Sequence, residues 1–249
     1  MAALLELQGV SKRYRDMVVI PNLTLAVGIG EFVGVIGPNG AGKTTLFGLI
    51  SGNLRCEFGR VLFDGQDVTD LGADARCRVG IGRTFQIPQP FHGMTVFENA
   101  LVAATFGAAL RGKQAQFKAR EALVRCGLDH VGDLPAGRLT LLQRKRLELS
   151  RALATEPRLL LLDEVAGGLT DAEVNELLEL VTAIHKSGVT VIWIEHLVHA
   201  LVSSADRLLV LAEGKLLGDG GPESVLQSRE VRDVYLGSDL DETVHHVRH

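Results

Sequence analysis

The run Gly37-Pro38-Asn39-Gly40-Ala41-Gly42-Lys43-Thr44 carries the spacing GxxxxGK[ST], a pattern whose chemistry is phosphate binding. Glycines at 37, 40 and 42 let the backbone curl until its N–H groups point inward at phosphate oxygens. Asn39, Ala41 and Thr45 complete the cradle. Lys43 brings a cation within reach of β and γ phosphates, and the Thr44 hydroxyl is an oxygen ligand of the kind Mg2+ shares with phosphate. Glu31 to Ile36 reads as a buried strand, and an amphipathic helix follows from about Lys43, its positive dipole end adding to the attraction. A glycine-rich turn without a ligand is the alternative, and these flanks argue against it.

A second group of reactive side chains ends an apolar run, Leu159 to Leu162, with Asp163 and Glu164. Strand alternation puts the two carboxylates on opposite sides. Asp163 can face the metal beside Thr44, and Glu164 can polarise a water for in-line attack on a γ phosphate. Alone, such a pair reads as a solvated turn; the phosphate loop upstream reverses that weighting. His196 closes another buried run, Val191 to Ile194, which places it on the same sheet edge and suggests the γ phosphate, with a helix cap or core histidine as the alternative. His245, His246 and His249 lie in a charged end, Asp239 to His249, that reads as a frayed tail.

These groups need elements to carry them. The first third, from Leu4, reads as short alternating segments with turns at Gly28-Ile29-Gly30 and Asp64-Gly65, the latter closing Arg60 to Phe63 as half a hairpin. From about Phe97 to Ala154 the apolar spacing becomes helical, with breaks. Leu159–Leu162 and Val189–Ile194 suit strands buried on both faces of a parallel sheet, joined by a helix from about Asp171 to Lys186. Arg207 to Leu211 and Lys215 to Leu217 read as a hairpin turning at Glu213-Gly214.

Composition limits the rest. The chain has 249 residues, 46% hydrophobic and 22% charged, which suits one large domain or two small lobes and excludes disordered, collagenous and coiled-coil classes. A net charge of −4 offers no whole-chain field for nucleic acid. Cys56, Cys77 and Cys126 are scattered without CxxC spacing, so neither a disulfide framework nor a zinc site is expected, and they suit a reducing compartment. No secretory signal is expected at the start. The weakly polar stretch Ala100 to Leu110 is too short to span a membrane.

Taken in order, Tyr14, the loop Gly37 to Thr44, Gln86, the segment Leu139 to Gln143, Asp163-Glu164 and His196 resemble the ATP-binding cassette (ABC) ATPases over nearly the whole chain. The resemblance implies an α/β fold: a P-loop NTPase core with a parallel sheet, an N-terminal antiparallel β subdomain and an inserted α-helical subdomain. It implies a core of residues 1–86 and 158–237, a helical subdomain of 87–157 and a flexible tail of 238–249. It implies ATP and Mg2+ as cofactors, with Tyr14 stacking on adenine. Gln86 would link the metal and attacking water to a membrane partner, Glu164 would be the catalytic base, and His196 would hold the γ phosphate across a dimer interface. For Tyr14 a buried core position, and for Gln86 an exposed polar loop, are the bland alternatives.

More narrowly, Gly80-Ile81-Gly82-Arg83-Thr84-Phe85-Gln86, Met94 to Asn99 and Val234-Tyr235-Leu236-Gly237 resemble the ATPase subunits of branched-chain amino-acid importers. That resemblance implies a second ATPase subunit, two membrane permease subunits, an indirect substrate-binding protein, and a peripheral place on the cytoplasmic face of the inner membrane. Phe91, Met94 and Phe97 would dock on the permease, core burial being the alternative.

One segment departs from the family. Its usual LSGGQ is Leu139-Thr140-Leu141-Leu142-Gln143 here, with side-chain bulk where a backbone N–H should approach phosphate. Thr140-x-x-Gln143 keeps capping-box spacing, so a helix N-terminus can still face an anion. Gly167-Gly168-Leu169-Thr170 replaces the family's SALD. A heterodimer follows as the expectation, in which a partner's intact signature closes this chain's site. The alternatives are a nucleotide-gated dimerising module with weak hydrolysis, and a soluble ABC ATPase outside transport.

Overall fold

The computed structural model describes residues 3–235. The expected tail of 238–249 and its histidines lie outside the described residues, as do Leu236 and Gly237. In chain order the elements are β1 (Ala3–Tyr14), β2 (Met17–Gly28), β3 (Phe32–Ile36), α1 (Lys43–Ser51), β4 (Phe58–Phe63), β5 (Gln66–Asp67), α2 (Ala73–Arg78), β6 (Ile81–Arg83), α3 (Val96–Val102), α4 (Gly112–Arg125), α5 (Leu141–Ala154), β7 (Leu159–Asp163), α6 (Asp171–Lys186), β8 (Thr190–Ile194), α7 (Val198–Val202), β9 (Arg207–Ala212), β10 (Lys215–Gly220), α8 (Pro222–Gln227) and α9 (Arg229–Tyr235). They fall into two compact units, Met1–Asp70 with Val191–His249, and Leu71–Thr190.

In the first unit, β2, β1, β4 and β5 form an antiparallel sheet in that order. The short segments expected from Leu4 are instead two strands of 12 residues each, turning at Arg15 with φ 54. Register shifts between them interrupt the two-residue alternation, which is why the sequence reads as broken pieces. The Asp64-Gly65 turn forms as expected, with φ of 50 and 74, the pair of positive angles a tight hairpin needs. Beside this sheet, β3 lies between β8 and β9 in parallel register, and β10 returns antiparallel to β9. Every residue of β3 and β8 is buried, and the Phe32 and Trp193 rings stack with centroids 6.2 Å apart. Helix α1 is less amphipathic than its sequence suggests: seven of its nine residues are buried.

In the second unit, β6 pairs in parallel with β7, all of whose residues are buried. Its helices start by local chemistry. Thr95, Thr140 and Thr170 each accept a hydrogen bond from the backbone N–H three residues on, and the side chains of Glu98, Gln143 and Glu173 reach back to the cap. Each such capping box satisfies donors the helix start would otherwise leave open. Helix α6 spans the expected Asp171–Lys186, and α5 ends at the expected Ala154. The breaks expected after Phe97 are real: α3 runs into a π-helical turn, Ala103–Gly107, and α4 begins only at Gly112, past Ala109, both residues having positive φ.

All three cysteines are unpaired thiols. Burial pushes the Cys126 thiol up to about 12, from an ordinary value near 9. The thiol form is favoured in the fold, so its stabilising contribution is complete below about pH 9 and is lost as pH rises toward 12. Alkylation at pH 8 followed by peptide mapping is expected to label Cys56 in the native chain and Cys126 only after unfolding, because the thiolate is the nucleophile.

Candidate nucleotide and catalytic site

The phosphate loop bridges the carboxyl end of β3 and the start of α1. Gly40 and Gly42 are left-handed, with φ of 81 and 99. Gly37 is required for another reason: a Cβ there would stand 2.2 Å from the Leu211 carbonyl oxygen. The buried Lys43 folds back so that its Nζ donates to the carbonyl oxygens of Gly37, at 2.6 Å, and Pro38, at 3.1 Å. Gly42 caps α1 without a side-chain hydrogen bond, which leaves the helix N-terminus facing the loop. Thr44 is exposed and Thr45 partly so.

Two other expected residues belong to this unit. Tyr14 ends β1, is 42% exposed, and has the Lys12 ammonium 5.5 Å from its ring centroid. It is therefore not the core tyrosine of the alternative. Its hairpin partner β2 runs close to the loop, since a Cβ on Gly42 would lie 3.4 Å from the Val19 carbonyl oxygen. His196 is exposed, two residues beyond Ile194, which stands opposite Val35 in the parallel register. Gly37 is likewise two residues beyond Val35, so the histidine and the loop emerge at the same end of neighbouring strands. The residue before it, Glu195, is buried and accepts from the Trp193 indole N–H at 3.1 Å.

The Leu71–Thr190 unit carries the carboxylates. Asp163 is the last residue of β7 and is buried. Glu164 is half-buried and does not continue the strand: its φ of 47 is left-handed. Strand geometry ends at Asp163, so two-residue alternation does not extend to Glu164, whose direction is set by its left-handed backbone. Left-handed backbone at a non-glycine residue is disfavoured by roughly 1–2 kcal/mol and clusters at functional positions. The Gln86 side-chain amide donates to Glu164 Oε2. Gln86 and Glu164, 78 residues apart in sequence, therefore meet.

Beyond its place in the Gly80 to Gln86 motif, local pattern assigns Arg83 no chemistry of its own. From β6 its Nη2 donates to Asp163 Oδ2 at 2.8 Å, with both side chains largely buried, and its guanidinium lies 5.2 Å from the Phe85 ring centroid. No local signal betrays a pair this far apart; only the parallel register of β6 on β7 sets it up.

The oxygen donors expected for the metal, the Thr44 hydroxyl, the Asp163 carboxylate and the Gln86 amide, are the set a hard cation such as Mg2+ takes. Among the described residues no group of three or more His, Cys, Asp or Glu could hold a metal.

In the signature segment, Leu139 is buried and Thr140 caps α5 as its spacing predicts. Leu141 is 43% exposed, and its Cδ2 would lie 3.3 Å from a Cβ on Gly168. Gly168 is left-handed, with φ 80. The two departures from the family pattern are thus neighbours in space. Of the expected docking residues, Phe91 and Met94 are exposed, and Phe97 is half-buried beneath the Arg120 guanidinium. Phe85 and Ile87 are exposed beside them in sequence.

Residues 20–167, more than half of the chain, match the family described as ABC transporter. The chain belongs to the ABC transporter family. This cassette is 32% identical over 235 residues to the lipopolysaccharide export system ATP-binding protein LptB of Haemophilus influenzae, covering 94% of this chain and 98% of the relative. It is 34% identical over 246 residues to a probable branched-chain amino acid transport ATP-binding protein LivG of Archaeoglobus fulgidus, covering 94% and 96%. Among solved structures it resembles the ADP conformation of MJ1267, an ATP-binding cassette of an ABC transporter, with a TM-score of 0.88 and 29% identity over 96% of this chain and all of the other. The cassette has the α/β fold of ABC ATPases, with its N-terminal antiparallel sheet, and it is an ATPase.

Proposed function

We propose that this cassette hydrolyses MgATP as one of two ATPase subunits beneath a membrane permease, energising uptake of branched-chain or related amino acids. The observation that carries the hydrolytic role is the Gln86 amide on the carboxylate of Glu164, a residue itself held in left-handed backbone. Lys43, Gly37, Asn39, Gly40, Ala41, Gly42, Thr44 and Thr45 hold the phosphates, and Tyr14 takes the adenine. Thr44, Asp163 and Gln86 would hold Mg2+, which neutralises developing phosphate charge. Glu164 accepts the proton of the attacking water, and His196 touches the γ phosphate. The chain divides accordingly into a nucleotide-binding core of 1–86 and 158–237 and a helical subdomain of 87–157. Among the described residues no helix is long and apolar enough to cross a membrane. Attachment at the cytoplasmic face therefore falls to exposed apolar residues, Ile87, Phe91 and Met94.

Amino-acid cargo rests on the segment Gly80 to Gln86 and on similarity to the LivG protein. A second cargo, lipopolysaccharide, is favoured by the similarity to LptB at comparable identity. Uptake of labelled leucine by cells with and without this chain separates them. Loss of uptake is expected; intact uptake with lipopolysaccharide lost from the cell surface would replace the first cargo by the second.

The pair is a heterodimer in this proposal, supported by Leu141, exposed at the start of α5 where phosphate would need close backbone approach. Turnover of the purified chain alone is expected to stay low and flat with concentration, and to rise when a second ATPase subunit with an intact glycine pair is added. Turnover per chain that climbs with the chain's own concentration to a full rate would overturn the heterodimer.

A further inference from the structure

The segment Gln86 to Met94, interrupted by Pro88 and Pro90, has no regular secondary structure of its own. Its backbone is instead held by side chains of two helices. From α5, Lys145 Nζ donates to the Gln86 carbonyl oxygen at 3.0 Å. Glu148 Oε1 accepts the Gln89 N–H at 2.8 Å. Arg151 Nη1 donates both to that carboxylate, at 2.8 Å, and to the Gln89 carbonyl oxygen, at 2.9 Å, while its guanidinium covers the Phe91 ring. From α3, the fully buried Asn99 accepts the Phe91 N–H at 2.8 Å and donates to the Phe91 carbonyl oxygen at 3.2 Å.

The three α5 residues stand three apart, so they line one face of the helix. Lys145 and Glu148 are 4% and 5% exposed. Burying an ammonium and a carboxylate is strongly unfavourable unless each is hydrogen-bonded. Here loop carbonyl and N–H groups supply those bonds, and the helix supplies partners for a backbone that its prolines bar from regular pairing. Loop and helix therefore satisfy one another.

We infer that Lys145, Glu148, Arg151 and Asn99 are positioning residues for Gln86: they latch its loop to α5 and α3 and so fix the Gln86 amide on Glu164. The inference rests on the proposed role of Gln86 at the catalytic carboxylate. It also ties the exposed Ile87, Phe91 and Met94 to the helix that begins at Thr140.

The test is amide hydrogen exchange of the full chain in Glu148→Ala and Glu148→Gln, with MgATP turnover of both and of Gln86→Ala in the same ATPase pair. In Glu148→Ala, exchange at Gln89 and Phe91 is expected to rise about tenfold, as for loss of one charge-assisted hydrogen bond, while α5 amides stay protected. Its kcat should fall toward that of Gln86→Ala with KM for MgATP unchanged. Glu148→Gln keeps an acceptor for the Gln89 N–H and should restore most of both. Unchanged loop exchange in Glu148→Ala would overturn the latch. Faster exchange with parental kcat, where Gln86→Ala is impaired, would overturn the positioning role alone. Parental turnover in Gln86→Ala would overturn the role of Gln86, and the inference with it.

Discussion

Replacing Glu164 by Gln is expected to lower MgATP turnover by about 10^2–10^4-fold, the contribution of a positioned general base, while leaving nucleotide affinity within a factor of about three. The substitution is nearly isosteric. Its amide oxygen can still accept from Gln86, so the hydrogen bond that now links residues 86 and 164 is expected to survive while the proposed proton acceptor is lost. The left-handed backbone at 164 is kept, and with it the direction of the side chain. Steady-state turnover and equilibrium binding of a fluorescent ATP analogue check the two halves separately. A variant that still turns over at half the parental rate would remove Glu164 from the role of base.

Gly37→Ala is expected to weaken ATP binding by about a hundredfold, the equivalent of two charge-assisted hydrogen bonds, and to lower the melting temperature. The new methyl would sit 2.2 Å from the Leu211 carbonyl oxygen, a backbone atom that cannot swing aside as a side chain would. Relief requires the loop to shift, and Gly37 is where the Lys43 ammonium is anchored. Overpacking of this kind costs about 1–3 kcal/mol, or a melting temperature lower by about 2–12 °C in a chain of this size. Gly40→Ala is the contrast. It meets nothing within 4 Å and is penalised only by its φ of 81, so a smaller loss of about 1–2 kcal/mol is expected. Thermal unfolding with and without ATP measures both. Equal effects at 37 and 40 would mean that backbone crowding is not what Gly37 relieves.

What the sequence makes legible is what local chemistry decides. Thr140 and Gln143 announce a helix start, Asp64-Gly65 and Glu213-Gly214 announce turns, and apolar runs announce β7 and β8; all form in place. The phosphate loop is equally local. Features set by distant partners stay hidden. The pairing of Arg83 with Asp163 depends on the register of β6 against β7, 80 residues on. The length of β1 and β2 is obscured by register shifts that a two-residue pattern misreads as ends. The turn at Glu164 has no signature, because glycine, asparagine and aspartate are the residues that normally mark left-handed backbone. Lys145 and Glu148 look like the polar face of an amphipathic helix, and only the loop packed on them shows them to be buried.

The capping box at α5 separates two things that the family's usual segment combines. Thr140 and Gln143 alone determine where the helix begins, and they flank Leu141 and Leu142 without depending on them. Substitution at 141 and 142 leaves the groups that form the cap untouched, so α5 is expected to start at the same place with other residues there. Chemistry at this position can drift while folding is left intact. Folding at the start of α5 and whatever chemistry residues 141 and 142 perform are therefore separable in this chain.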